Sequence, residues 1–316
     1  MDNHQFPDVT TRSDNHGTDF RAVYALHETD GRKYSWMNYA SVLSLKLTHP
    51  EIAVRCFVTD ATYRHLRNCA HPLLEQVDME VVDVPLFDCN RLTSRCLKIV
   101  SGMRMDGSFV FLDSDTLVVR PIRMTTEDFD IAATPDKHTG DTSGLTPDWV
   151  KPHYAELNWD AHHGRYYNSG VVFYHRNISD TGFFSKWLDN WKSTCGLGFH
   201  NDQPSFNHTM RELGLRVIDM GDEFNAMVQV DEKYLREAVV MHFYESTSST
   251  RRSKYDDLVD DLRSGGRMSG STIVNRAKSW NHIYYDPTKI NLIANGRYRE
   301  ILFKVMKKMR LHQPGI

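Results

Sequence analysis

Four consecutive apolar residues, Phe109-Val-Phe-Leu112, run directly into Asp113-Ser-Asp115-Thr-Leu117. An apolar run without alternation predicts a strand covered on both faces, which requires helices above and below a largely parallel sheet. Ligands bind at the carboxyl edge of such open sheets. Here that edge carries two carboxylates two residues apart, with no basic neighbour in sequence to separate their charges. A hard divalent cation such as Mg2+ or Mn2+ relieves the repulsion and completes its shell with phosphate oxygens. The plainer reading, two solvated loop carboxylates, fits poorly because Leu112 and Leu117 bracket the pair so closely.

The surrounding sequence supplies the elements such a sheet needs. Val23–Leu26, Val54–Val58 and Met79–Val84 read as strands, and Tyr34–Leu47, Tyr63–Cys69 and Leu92–Met105 as helices between them. In the last helix Leu92, Cys96, Ile99, Val100 and Met103 recur at helical spacing. In the second half, Asp130–Ala133, Val171–Tyr174, Leu215–Ile218 and Ala238–Met241 read as strands, and Thr181–Lys192 and Ser205–Leu213 as helices. Lys137–Gly144 reads as a loop, Ser246–Ser253 as a mobile one and Ser264–Ser271 as a polar gap. Tyr298–Leu311 predicts an amphipathic helix with a basic face. The expected organisation is a flexible tail over 1–20, an α/β catalytic domain over 21–245 (halves 21–118 and 119–245), and a loop with a helical extension over 246–316.

Composition excludes several classes of function. At 316 residues with 25% charged side chains and a formal net charge of -3, the chain has no basic field for nucleic acid. Five cysteines (Cys56, Cys69, Cys89, Cys96, Cys195) lack C-x-x-C spacing, which argues against structural zinc and a disulfide framework and for buried free thiols. The polar N-terminus has no signal-peptide core, and no apolar run approaches the ~20 residues that cross a bilayer. The expected location is cytoplasmic, with weak contact between the basic C-terminal helix and an anionic membrane surface.

Three further segments carry polar chemistry. Tyr167-Asn-Ser-Gly-Val-Val-Phe-Tyr174 sets a small polar turn before an apolar strand, with Gly170 allowing close backbone approach and Asn168 and Ser169 offering hydrogen bonds. Asn201-Asp-Gln-Pro-Ser-Phe-Asn207 opens a helix, for which Asn201 or Asp202 is the ordinary cap. Val239-Val-Met-His242 ends a strand on an imidazole, a suitable extra ligand for Mn2+. Taken without these segments, D-x-D-T-L also suits a haloacid-dehalogenase-type phosphatase with Asp113 as nucleophile. Against that reading, the aspartates follow a full β-α-β-α-β run instead of opening the domain.

In order, F-L-D-S-D-T-L, Y-N-S-G-V-V-F-Y, N-D-Q-P-S-F-N, Phe224-Asn225 and V-V-M-H-F resemble the glycogenin-like retaining transferases, glycosyltransferase family 8, over roughly Val23 to Phe243. The resemblance implies a GT-A fold with a mostly parallel central sheet flanked by helices, a UDP-sugar donor, and Mn2+ (or Mg2+) held by Asp113, Asp115 and His242. It implies Asn168, Asp202 and Gln203 around the donor sugar and reaction centre, and Ala25, His27 and Tyr34 at the nucleoside. Ser114 and Lys98 fall on the donor side. The acceptor, a glycan, protein, lipid or small molecule, is unspecified. The family's H-x-x-G-x-x-K is broken here, with Glu245 and Ser248 at the Gly and Lys positions. Diphosphate neutralisation is then expected from Arg251, Arg252 or Lys254. A donor-binding protein that has lost transfer is the alternative this departure leaves open.

Overall fold

The computed structural model describes residues 20–29, 33–123, 128–137, 145–160, 164–229, 234–244 and 252–285, together with 298, 301, 302 and 305. The first half alternates as its apolar periodicity predicts. It runs β1 (Arg21–Leu26), α1 (Tyr34–Thr48), β2 (Val54–Val58), α2 (Asp60–Asn68), β3 (Asp78–Val81), α3 (Asn90–Gly102) and β4 (Phe109–Leu112). Then come β5 (Thr116–Val118), β6 (Ile131–Pro135), α4 (Lys151–Glu156), β7 (Tyr167–Tyr174), α5 (Phe183–Gly196) and α6 (Asp202–Glu212). The chain continues through β8 (Val217–Asp219), β9 (Ala226–Met227), α7 (Tyr234–Glu237), β10 (Val240–His242), α8 (Lys254–Arg263) and α9 (Gly270–Lys278).

Seven strands form one sheet in the order β3-β2-β1-β4-β7-β6-β8. All neighbours are parallel except at β7, which runs antiparallel to both β4 and β6. A second sheet, β5-β10-β9, lies beyond the end of β4 and carries the late histidine. All four β4 residues are buried, as their unbroken apolar run predicts. One side of the sheet packs on Leu97 of α3, Phe183, Phe184 and Trp187 of α5 and Phe206 of α6. The other packs on Val42 and Leu45 of α1 and Leu66 of α2. Each such side chain contributes about 1.5–3 kcal/mol on burial, so the two layers hold β4 and its carboxyl end in place.

Three local expectations change. Asn168-Ser169-Gly170 is part of strand β7 and not a turn before it. The amide of Asn168 satisfies the neighbouring main chain within the strand, accepting from Gly170 N–H at 2.8 Å. The end of the supposed mobile loop is ordered: Ser253 and Asp256 form a reciprocal capping box at the start of α8. The polar gap ends in α9, capped by Ser269. Both helices share a core with Met37 and Ala40 of α1 through Tyr255, Leu258, Val259, Ile273 and Val274. A Cβ on Gly270 would lie 2.3 Å from the Leu43 carbonyl oxygen, so glycine there permits the approach of α9 to α1. Of the five thiols, all free, Cys56 and Cys96 are buried, Cys195 is half-buried, and Cys69 and Cys89 are exposed against expectation. The tail over 1–19, residues 246–251 and most of the expected Tyr298–Leu311 helix lie outside the described residues; 298, 301, 302 and 305 are helical. Among the described residues no helix is long and apolar enough to cross a membrane.

One buried histidine sets a pH limit on this scaffold. His71 packs on Trp36 with ring centroids 4.2 Å apart, and its Nδ1 accepts the Leu73 N–H at 3.2 Å. Burial, reinforced by nearby His65, pushes its pKa down to about 4. A folded-state value below the unfolded one means the contribution is complete above the unfolded value of about 6.5 and is lost as pH falls toward 4. At pH 5 the cost is about 2 kcal/mol. Thermal melts of wild type at pH 7.5 and 5.0 should show a drop that is smaller in His71→Gln; equal drops would remove His71 as the cause.

Candidate active site

The pairing of β4 with β7 builds the site. Leu112 faces Val171, and one step further Asp113 N–H donates to the Gly170 carbonyl at 2.8 Å. This antiparallel register places the Asn168-Ser169-Gly170 backbone beside the first aspartate. The β5–β10 pairing does the same for the second: His242 faces Thr116, and Phe243 N–H donates to the Asp115 carbonyl at 2.9 Å. Three potential ligand atoms, from Asp113, Asp115 and His242, thereby lie within 4.8 Å of one another.

The donor set fits a divalent ion. Asn225 Nδ2 donates to Asn168 Oδ1 at 2.9 Å, which turns Asn225 Oδ1 toward His242 to accept from Nδ1–H at 2.8 Å. The second ring nitrogen, Nε2, then faces Asp115 Oδ1 at 3.4 Å. Either a proton or a metal ion must sit between them, and a hydrogen-bonded Nδ1 with Nε2 free to ligate is the usual second-shell arrangement of metal-binding imidazoles. Burial works against charge on His242, but Asp115 outweighs it and raises the imidazole pKa. Burial lifts the Asp113 carboxyl above its ordinary value, with Lys98 opposing and Asp115 adding to the rise. Burial acts likewise on Asp115, but His242 reverses it and holds that carboxyl low. Two carboxylates driven apart in this way are too close to ionise independently, which a shared cation relieves. Glycine at 170 completes the cradle, since a Cβ there would sit 2.4 Å from His242 Cε1 and 2.7 Å from Asp113 Oδ2.

A cationic group organises the other wall. Lys98, buried on α3, reaches Asp113 Oδ1 at 3.1 Å, Ser169 Oγ at 3.3 Å and Asp202 Oδ2 at 3.4 Å. Burial works against its charge, but the two aspartates outweigh it and raise its pKa. Arg95, one helical turn earlier, reaches Asp202 Oδ1 at 3.1 Å and Asn201 Oδ1 at 2.6 Å. Burial likewise works against ionised Asp202, and Lys98 and Arg95 together hold its carboxyl below the ordinary value. Asn201 sits at the N-cap position of α6, but its side chain makes no cap bond and serves Arg95 instead. Gln203 Oε1 accepts the Ser169 N–H at 3.3 Å. Asn168 has its oxygen committed to Gly170 and Asn225, and its amide donates to Asp136 at 3.1 Å.

These groups face a cavity of about 500 Å³. The structure brings Ala25, His27, Tyr34, Lys98, Asp113, Ser114, Asp115, Asn168, Asp202, Gln203 and His242 onto its walls. Lys254 does not line it but opens α8, with Nζ 5.9 Å from the centre of the Tyr285 ring. Arg252 pairs with Asp257 and Asp260, and Arg251 lies outside the described residues. Arg91, Arg95, Asp136 and half-exposed Trp149 line the cavity without having been singled out from sequence. The signal for the arginines was present, since Arg91, Arg95 and Lys98 recur at helical spacing on α3.

Carboxylates, an imidazole and buried cations thus converge on one cavity at the carboxyl edge of the sheet. A family model described as nucleotide-diphospho-sugar transferase matches residues 96–258, just over half of the chain, and the chain belongs to that family. Its fold is the GT-A fold. Among solved structures it is similar to the glycosyltransferase GlyE of Streptococcus pneumoniae TIGR4, at 14% identity and a TM-score of 0.52, over 85% of this chain and 66% of that one. The chain thus spans just under two thirds of the length of GlyE. The galactosyltransferase LgtC (14% identity, 85% and 98% covered, TM-score 0.49) and mouse xyloside xylosyltransferase 1 (11%, 73% and 99%, 0.48) are more distant in shape. No curated protein matches the sequence. Family membership sets aside the phosphatase reading of Asp113.

Proposed function

We propose that this chain transfers a hexose from a UDP-sugar to a hydroxylated acceptor with retention of anomeric configuration, with Mn2+ or Mg2+ held by Asp113, Asp115 and His242. The observation that carries the reading is the convergence of those three side chains on one cavity, with Ala25, His27 and Tyr34 on the same walls as Asn168, Asp202 and Gln203. When bound, the ion neutralises charge that develops on the departing diphosphate.

The remaining chemistry belongs to the protein. The bond from the anomeric carbon to the diphosphate oxygen breaks, the acceptor oxygen bonds to that carbon, and the acceptor proton leaves on the diphosphate. Asp202 has both oxygens engaged, one by Arg95 and the other by Ser169 and Lys98. A carboxylate with both oxygens held by cations and a hydroxyl is a poor nucleophile. That favours front-face displacement over a covalent glycosyl intermediate. Lys98 bridges the metal-side aspartate and Asp202, so metal binding and sugar positioning share one buried cation.

The test is a thermal shift with UDP, alone and with Mn2+. At 100 times its dissociation constant a ligand stabilises the native state by about 2.7 kcal/mol. A UDP shift that grows with Mn2+ supports the reading, and the absence of any nucleotide shift in folded protein overturns it. UDP binding without transfer or donor hydrolysis would instead point to the donor-binding alternative raised by Glu245 and Ser248.

A further inference from the structure

The metal-bearing turn is tied to α1 by polar side chains that the site itself does not use. Asn38, Ser41 and Ser44, three residues apart on α1, are fully buried. They meet every second residue from the turn between the aspartates into β5. Asn38 Nδ2 donates to Ser114 Oγ at 3.1 Å, Ser41 Oγ lies 2.9 Å from Thr116 Oγ1, and Ser44 Oγ accepts the Val118 N–H at 2.9 Å. Ser44 answers a buried main-chain N–H, which an apolar residue would strand, but Ser41 meets only other hydroxyls and needs another reason.

The middle contact belongs to a longer chain whose direction can be deduced. Thr116 Oγ1 lies 2.8 Å from the Asp113 carbonyl, which can only accept, so Thr116 spends its single hydrogen there. Thr116 must therefore accept from Ser41. Ser41, having spent its own hydrogen, must accept from the Tyr24 hydroxyl at 2.9 Å. The order is Tyr24 to Ser41 to Thr116 to the main chain of Asp113, and all three side chains are completely buried.

We propose that Thr116 and Ser41 are positioning residues for the metal site, the inner members of a one-way hydroxyl relay, begun at Tyr24, that fixes the carbonyl of Asp113 and hence the angle at which its carboxylate faces Asp115 and His242. The proposal rests on the reading of Asp113, Asp115 and His242 as metal ligands. Hydrogen-bond partners of ligating side chains typically change metal affinity by about 10–100-fold when removed, and a partner of the ligand's main chain should act at the lower end of that range.

The relay predicts a graded series in the Mn2+ dissociation constant, read by isothermal titration without nucleotide. Thr116→Val keeps shape but removes the bond to Asp113, and should weaken Mn2+ by about tenfold or more. Ser41→Ala leaves Thr116 able to donate but no longer held, and should cost roughly threefold to tenfold, a fraction of the outer-partner effect. Tyr24→Phe removes only the far end and should stay within about twofold. Thr116→Ser retains the hydroxyl and should restore wild-type affinity. Melting in EDTA reads the general stability of each variant separately. Equal Mn2+ affinity in wild type and Thr116→Val, or a loss in Tyr24→Phe as large as in Thr116→Val, overturns the relay. If Thr116→Val does not fold, the order of Ser41→Ala over Tyr24→Phe decides in its place. A wild type that binds no Mn2+ overturns the ligand assignment itself, and the relay with it.

Discussion

In Asp115→Ala the Mn2+-dependent part of the UDP thermal shift should vanish, and sugar transfer should fall by about 10²–10³, the usual loss when one preorganised electrostatic contact is removed. Asp115 is the carboxylate that faces His242 Nε2 at 3.4 Å, whereas Asp113 also answers to Lys98 at 3.1 Å. Removing Asp115 leaves one carboxylate already neutralised by a lysine and one imidazole, too little charge to hold a hard divalent ion. The cavity wall at Ala25, His27 and Tyr34, proposed above to meet the nucleoside, is untouched, so a residual metal-independent UDP shift should persist. A variant that keeps the full Mn2+ enhancement would show that the ion, if one binds, is held elsewhere.

Gly170→Ala should be nearly as damaging although it changes no charge. The added Cβ would lie 2.4 Å from His242 Cε1, 2.7 Å from Asp113 Oδ2 and 3.0 Å from Asn168 Oδ1. None of these atoms ends a flexible chain. His242 is pinned by Asn225, Asp113 by Lys98, and Asn168 by Asp136. The methyl group can be accommodated only by moving the ligands. Overpacking of this kind costs about 1–3 kcal/mol of stability. A displacement near 1 Å at a reacting centre costs on the order of 10²-fold in rate. Titration with Mn2+ should show loss of binding in a protein that still melts cooperatively. Wild-type Mn2+ affinity in this variant would mean that β7 does not press on the site as described.

Much of the first half was legible because its signals are local. Apolar strands bounded by polar turns, and helices with apolar residues at helical spacing, declare themselves whatever they later touch. The error at Asn168-Ser169-Gly170 came from reading small polar residues as turn formers. The Asn168 side chain satisfies Gly170 N–H locally, and Asp113 N–H satisfies the carbonyl of Gly170, so the segment stays extended. The helical extension expected over 246–316 does not place α8 and α9 individually, although their signals are ordinary. Ser253 with Asp256, then Tyr255, Leu258, Val259 and Leu262, is a capped amphipathic helix in sequence as well as in structure. The basic residues before it drew the reading toward a loop that grips phosphate. In the fold Arg252 instead pairs with Asp257 and Asp260 of the helix that follows it.

The sequence alone determined the layered α/β plan, the two aspartates at the end of a buried strand, and the residue types able to meet a nucleotide-sugar. Those follow from periodicity, burial and the chemistry of single side chains. Only the tertiary structure decided that β7 runs antiparallel beside β4, that β10 sets His242 opposite Thr116, and that Lys98 and Arg95 converge on Asp202 from α3. Strand order and register depend on how whole faces pack together, and residues more than a hundred positions apart leave no local trace of meeting. Asp113 and His242 are such a pair, brought within one cluster by the register of two sheets.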